Sequence, residues 1–81
     1  MGTKIPSGPI VVYTKNSAYR FGAANKKGER TISRDSRPLE CTRCRIVKLG
    51  QGHSMNFIDI DGPNAGEEWT TSFVTKIELQ E

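Results

Sequence analysis

The chain has 81 residues and a net charge of +3, which combines a basic half, residues 1–48 (+8), with an acidic half, residues 49–81 (−5). Hydrophobic residues make up only 35%, so we expect one domain with a thin core, and small chains of this kind often gain buried area as homo-oligomers. No apolar run of about 18 residues and no secretory signal is present, so we expect no membrane association and a cytoplasmic location.

The residue types favour strands along the whole chain. Ile, Val, Thr, Tyr, Phe and Trp occur in short runs that are separated by Gly, Asn, Asp and Pro. Residues 1–8 are expected to form a flexible arm, and residues 9–81 a single domain. The predicted strands cover residues 9–15, 18–23, 30–34, 40–49, 54–60 and 68–79, with turns at residues 16–17, 25–28 and 50–52.

The last predicted strand shows the clearest alternation. Its odd-numbered residues from Trp69 to Leu79 face one way, and Val74 is the one apolar residue on the other face, a period of two that a helix cannot satisfy. We therefore predict an all-β fold, a small five- or six-stranded antiparallel barrel or sandwich of SH3-like type, in which closure would remove exposed edges. The predicted core comprises Ile10, Val12, Tyr13, Phe21, Ile46, Val47, Leu49, Phe57, Ile58, Trp69, Phe73, Val74, Ile77 and Leu79.

The motif Cys41-Thr42-Arg43-Cys44 invites a metal or redox interpretation. A structural zinc site needs four ligands, whereas this chain offers one cysteine pair and His53. Residues three apart in an extended strand point to opposite faces, which hinders joint binding of one ion. We therefore predict two reduced thiols, one of them in the core, and no metal site.

Catalysis finds little support in the pattern. His53 is the only histidine and lies in a glycine-rich turn, and nothing in the spacing of Ser54 and Asp59 favours a catalytic triad. Asp59 and Asp61 are expected to end a strand in water. The chain carries no glycine-rich phosphate loop and no dinucleotide fingerprint. We predict no enzyme, no catalytic residues and no cofactor.

Anion binding is better supported, because six arginines fall within 26 positions. The planar guanidinium group matches phosphate oxygens two at a time. Arg43 and Arg45 share one strand face and could hold one phosphate together, while Tyr19 and Trp69 are among the aromatic residues that could stack on a base. The alternative is that the arginines form a solvated outer face and that the core uses the aromatic rings. Thr71, on the predicted core face, needs a ligand or a neighbouring backbone as its hydrogen-bond partner.

Two polar segments resemble a known group of proteins. The pattern Thr14-x-Asn16-Ser17-x-Tyr19, with Trp69-Thr-Thr-Ser72-x-Val74-x-x-Ile77 near the end, is similar to small proteins encoded by bacteriophages and prophage-bearing bacteria. The likeness covers both ends of the chain and leaves the middle unmatched. Members of this group usually carry Pro at the position of Phe73.

By a looser analogy, compact phage proteins include sponges that sequester cyclic nucleotide signals of bacterial immunity. The analogy implies a non-catalytic, oligomeric protein that binds a nucleotide-type small molecule in the cytoplasm of an infected or lysogenic host. In this interpretation Arg34, Arg43 or Arg45 would bind the phosphate, and Tyr19 or Trp69 would stack on the base. The polar groups at the edge of the base would form hydrogen bonds with Asn16, Ser17, Thr71 and Ser72. Two alternatives stay open: a barrel that binds RNA or DNA with the same arginines, and a scaffolding phage component whose charged halves pair between subunits.

Overall fold

The computed structural model describes residues 5–36, 38–39, 41–63 and 65–80, which form a closed barrel of six antiparallel strands. Each strand pairs with the next one in the chain, and the first and last strands pair to close the barrel. The prediction of a small all-β barrel is confirmed. The strands are β1 (Ile10–Thr14), β2 (Ala18–Phe21), β3 (Glu29–Arg34), β4 (Arg43–Lys48), β5 (Ser54–Asp59) and β6 (Glu68–Leu79).

Polar turns join the strands where the sequence predicts them. In the β2–β3 turn, the Gly28 N–H donates to the Asn25 carbonyl at 3.0 Å, and Gly28 has a φ of +80°. The Asn25 side-chain oxygen accepts the N–H groups of Lys27 at 2.9 Å and Glu29 at 3.0 Å. Only glycine adopts such a positive φ without strain, so Gly28 and Asn25 together fix the shape of this turn.

The core fills the inside of the barrel, and residues from all six strands contribute to it. Phe57 lies near its centre, with the Trp69 ring stacked at 6.3 Å and the Tyr19 ring tilted at 6.4 Å between centroids. The buried cluster comprises Ile10, Val12, Tyr19, Phe21, Ile32, Cys41, Cys44, Ile46, Leu49, Met55, Phe57 and Val74.

Strand β6 departs from simple alternation at two bulges. One extra β6 residue opposes β5 between Thr70 and Phe73, and another opposes β1 between Val74 and Lys76. Each extra residue reverses the faces of the side chains that follow it. As a result Val74 is 1% exposed and Phe73 is 62% exposed. The predicted single apolar face of this strand is therefore wrong.

Two further residues of the predicted core are also exposed. Val47 is 48% exposed because it is the extra residue of a third bulge, where Ile46 and Lys48 oppose consecutive residues of β5. Leu79 is 66% exposed at the last position of β6. The two predictions fail for different reasons: the direction of Val47 depends on the register with the partner strand, whereas Leu79 lies at the end of β6.

The described chain contains no helix that is long and apolar enough to cross a membrane. Residues 1–4 of the predicted arm lie outside the described residues. Within the rest of the arm, Ile5 packs against the core, and the Ser7 carbonyl accepts the Ala24 N–H at 2.7 Å. The segment over residues 5–7 therefore lies against the β2–β3 connection.

Candidate functional site

A pocket of about 360 Å³ lies between the N-terminal segment, the β2–β3 connection and strands β3 and β4. We call it the basic pocket, because three of its lining residues are cations and none of those that the structure describes is an acid. Its volume falls at the lower end of the range of ~300–1,000 Å³ found for small-molecule sites. The lining residues are Ile5, Ser7, Ala24, Asn25, Lys26, Gly28, Arg30, Arg45 and Ile46.

Arg30 is the most unusual residue of the basic pocket. It occupies an inward position of β3, two residues before the core residue Ile32, and is only 3% exposed. Its Nη2 donates to the Pro6 carbonyl at 2.7 Å, whereas its Nη1 is buried without a hydrogen-bond partner among the described residues. Burial lowers the pKa of the Arg30 guanidinium, since a charged group loses its hydration inside the barrel.

No carboxylate of the described chain forms an ion pair with Arg30. Across the sheet, Arg30 pairs with Cys44, and Cys44 pairs with Asp59 on β5. Asp59 is itself only 2% exposed and lies two strands from Arg30, and its Oδ1 lacks a hydrogen-bond partner among the described residues. A buried charge without a partner is costly, and a bound anion would relieve that cost.

Arg45 and Lys26 add two exposed cations to the pocket. Arg45 lies over the turn, since a Cβ at Gly28 would be in van der Waals contact with the Cγ and Cδ of Arg45 at 3.6 Å. Within the described chain, neither Arg45 nor Lys26 forms an ion pair. Both charges are therefore available to a ligand.

The acid beside the pocket is turned away from it. Glu29 pairs with Arg45 in the strand register, but its Oε1 lies 3.6 Å from Arg43 Nη2 and accepts the Asn25 side-chain amide at 3.3 Å. Arg43 and Arg45 do share the outer face of β4, as predicted, yet Glu29 compensates the charge of Arg43 alone.

Charge pairing in the described chain stays within each half. Arg20 pairs with Asp35 at 3.0 Å in the basic half, as Arg43 does with Glu29, and Lys76 pairs with Glu78 at 3.3 Å in the acidic half. The hydrogen bonds to Asp35 raise the pKa of Arg20. No described ion pair joins the two halves, so the positive excess of the basic half is not compensated by the acidic tail through such pairs.

The two predicted stacking residues lie in and against the core. Tyr19 is 8% exposed, and the Arg34 guanidinium carbon lies 5.9 Å from its ring centroid. Trp69 stacks on Phe57 with the two rings only 4° from parallel. Neither ring lines the basic pocket. Their roles in base stacking stay predictions.

The predicted polar residues meet elsewhere on the barrel. Asn16 donates to Ser72 Oγ at 2.6 Å, which joins the β1–β2 turn to β6, and Ser17 donates to Ser36 Oγ at 2.9 Å. The Thr71 hydroxyl accepts the Met55 N–H at 3.1 Å and donates to the Ser72 carbonyl at 2.8 Å. Thr71 therefore satisfies its hydrogen bonds with the backbone at the first β6 bulge.

A second pocket, of about 480 Å³, lies beneath the β3–β4 connection. Its lining includes Arg34 but also Asp35, whose carboxylate accepts hydrogen bonds from Arg20 at 3.0 and 3.3 Å. Arg37, one of the six arginines of the predicted cluster, lies outside the described residues. The mixed charge of this pocket makes it a weaker anion site than the basic pocket.

Both cysteines are free and buried. Burial raises the pKa of Cys41 and of Cys44 to about 12, and a hydrogen bond with Asp59 adds to the effect at Cys41. The prediction of one core thiol is thus corrected to two. The described residues contain no group of three or more His, Cys, Asp or Glu side chains that could hold a metal ion.

The two aspartates behave differently from each other. Asp59 is buried, so the prediction that it ends a strand in water is wrong. Asp61 is exposed and accepts hydrogen bonds from the Thr42 hydroxyl, the Thr42 N–H at 3.0 Å and the Arg43 N–H at 3.0 Å. These donors lower the pKa of Asp61, and they tie the end of β5 to the start of β4.

Of the nine predicted site residues, the structure places Arg45 in the basic pocket. Sequence reasoning missed Arg30 and Lys26. The sequence does contain a signal for Arg30. It lies two residues before Ile32 in the same strand, so both side chains point to the same face, and Arg30 takes an inward position when Ile32 is buried. No known protein family matches the chain, and no match was found among curated proteins or solved structures, so the chemistry of the site rests on its own residues.

Proposed function

We propose that this protein binds a nucleotide-type anion without transforming it, and that the phosphate of the ligand lies in the basic pocket. The observation that carries the proposal is Arg30, a guanidinium that is 3% exposed and forms no ion pair with the described chain. A phosphate in the pocket would supply the missing negative charge. Arg45 and Lys26 would complete a cationic enclosure around it.

The pocket walls also suit the rest of such a ligand. Ile5 and Ile46 contribute apolar surface, and Asn25 and Ser7 contribute polar groups. With no aromatic ring among its described lining residues, the pocket would select ligands by phosphate and shape rather than by base stacking. A volume of about 360 Å³ favours a mononucleotide over a larger nucleotide.

The biological role that we propose follows from the phage resemblance. The protein would sequester a cyclic nucleotide signal of antiviral immunity, as a homo-oligomer in the cytoplasm of an infected or lysogenic bacterium. A small basic pocket in a rigid barrel supports this role, because sequestration requires binding and no chemistry.

A ligand screen by thermal shift and calorimetry tests the proposal. Cyclic mononucleotides and 5′-mononucleotides should raise the melting temperature, and cyclic dinucleotides should raise it less. Adenosine, which lacks phosphate, should not raise it. At a ligand concentration of about ten times Kd the expected rise is several degrees. Binding should weaken only mildly with salt, since one or two phosphates release few counterions, unlike a polynucleotide.

Two variants and one control sharpen the test. Arg45→Ala should weaken nucleotide binding at least tenfold. Arg30→Met should abolish binding and retain the fold, because exchanging an unpaired buried charge for an apolar side chain of similar size is often neutral or stabilising. Arg20→Ala, an exposed arginine paired with Asp35 outside the pocket, should leave binding unchanged. A flat response to every nucleotide, or equal losses in all three variants, would refute the proposal.

A further inference from the structure

We propose that the exposed ring of Phe73 is a stacking platform for single-stranded nucleic acid. The binding surface, here called the Phe73 surface, consists of Phe73 and Ser72 on β6, Lys15 and Asn16 in the β1–β2 turn, and His53 before β5. It is distinct from the basic pocket, and the inference does not depend on the proposed function.

The backbone register of β6 determines the exposure of Phe73. The first β6 bulge, between Thr70 and Phe73, turns the Phe73 ring outward, and the second, between Val74 and Lys76, restores the original alternation. The backbone at Phe73 is held on both sides, since it pairs with Ser54 and its carbonyl accepts the Lys15 N–H at 3.2 Å. Phe73 is therefore a 62% exposed ring on a rigid strand.

The neighbours of Phe73 are polar or cationic. Asn16 donates to Ser72 Oγ at 2.6 Å, which fixes the β1–β2 turn against β6 and keeps Lys15 beside Phe73. On the other side, the His53 carbonyl accepts the Val74 N–H at 2.8 Å. Lys15 and His53 are both exposed. Phe73 thus lies between two exposed residues on neighbouring segments, Lys15 and His53.

Acids are absent from the segments that form this surface. Residues 14–17, 52–54 and 71–74 contain no Asp or Glu, and they contribute Lys15 and His53 to this surface. Lys15 forms no ion pair within the described chain. The surface is therefore positively charged and complementary to a phosphate backbone.

This combination of features favours single-stranded nucleic acid over a protein partner. Bases stack on an exposed aromatic ring while nearby cations bind the phosphates, and stacking requires unpaired bases. A self-association surface would instead need a contiguous apolar area, whereas Phe73 is surrounded by polar and cationic residues. Single-stranded DNA or RNA is therefore the occupant that the chemistry selects.

Fluorescence anisotropy with labelled dT10 and rU10 tests the inference on the full chain. Phe73→Ala should weaken binding about tenfold, as expected for the loss of one stacked base, and Phe73→Trp should retain it. Lys15→Gln should weaken binding and reduce the slope of log K against log salt by about 0.7, the value for one phosphate of a single strand. A duplex of the same length should compete poorly.

Leu79→Ala is the matched control, because Leu79 is 66% exposed on the same strand and lies outside the Phe73 surface. It should leave binding of dT10 unchanged, and Phe73→Ala should leave nucleotide binding in the basic pocket unchanged. Equal affinity of wild type and Phe73→Ala for dT10 would overturn the inference. So would a Phe73→Ala variant that dissociates an oligomer, seen by light scattering, without losing affinity for dT10.

Discussion

The two bulges of β6 lead to a quantitative prediction of how much stability is lost when Phe73 or Val74 is truncated to Ala. Val74 is 1% exposed, so Val74→Ala removes two buried methyl groups at about 0.8 kcal/mol each, plus a cavity contribution, for a total of about 2 kcal/mol. Phe73 is 62% exposed and buries only part of its ring, so Phe73→Ala should cost no more than about 1 kcal/mol.

An unbroken alternation from Trp69 to Leu79 would predict the opposite order. Phe73 would then lie in the core, and its truncation would cost about 3–5 kcal/mol, whereas truncation of an exposed Val74 would cost less than about 0.5 kcal/mol. The order of the two effects therefore tests the bulges directly, independently of the exact magnitudes.

Urea unfolding followed by the fluorescence of the single tryptophan, Trp69, is the appropriate assay. With an m-value of about 1 kcal/mol/M, Val74→Ala should lower the midpoint by about 2 M and Phe73→Ala by at most about 1 M, with unchanged m. A larger loss for Phe73→Ala than for Val74→Ala would refute the assigned strand register. The same data show whether Phe73→Ala is folded for the nucleic-acid experiment.

Three further predictions concern the site and its surroundings. The pKa values of Cys41 and Cys44 are both raised from 9.0 to about 12, so native stability should fall between pH 9 and 12 by up to about 1.4 kcal/mol per pH unit for each thiol, and Cys44→Ala should remove about half of this cysteine contribution in urea titrations. The pKa of Asp61 is lowered by the Thr42 donors, so Asp61→Ala should reduce the melting temperature at pH 7, with a difference that narrows as the pH falls below 3.8. Glu29→Gln removes the acid beside the basic pocket and leaves the charge of Arg43 uncompensated, so nucleotide binding should tighten about threefold by calorimetry; weaker binding would contradict the assigned electrostatics.

Local patterns in the sequence determined the strands and turns. The period of two and the β-branched residues predict β6 with the bounds observed, Glu68 to Leu79, and the Asn25 and Gly28 signals place the β2–β3 turn. These features depend on residues close in sequence, where backbone preference and side-chain alternation act directly. The excess of positive charge in the first half is likewise a property of composition alone.

The tertiary structure decided which side chains face inward and which charges remain unpaired. A bulge depends on how many residues the partner strands oppose, so the exposure of Phe73 and the burial of Val74 follow from the register with β5 and β1. Arg30 is buried because barrel closure encloses the inward face of β3, although arginine by itself favours water. Arg43 pairs with Glu29 because adjacent strands bring them together, and that pairing leaves Arg45 for a ligand.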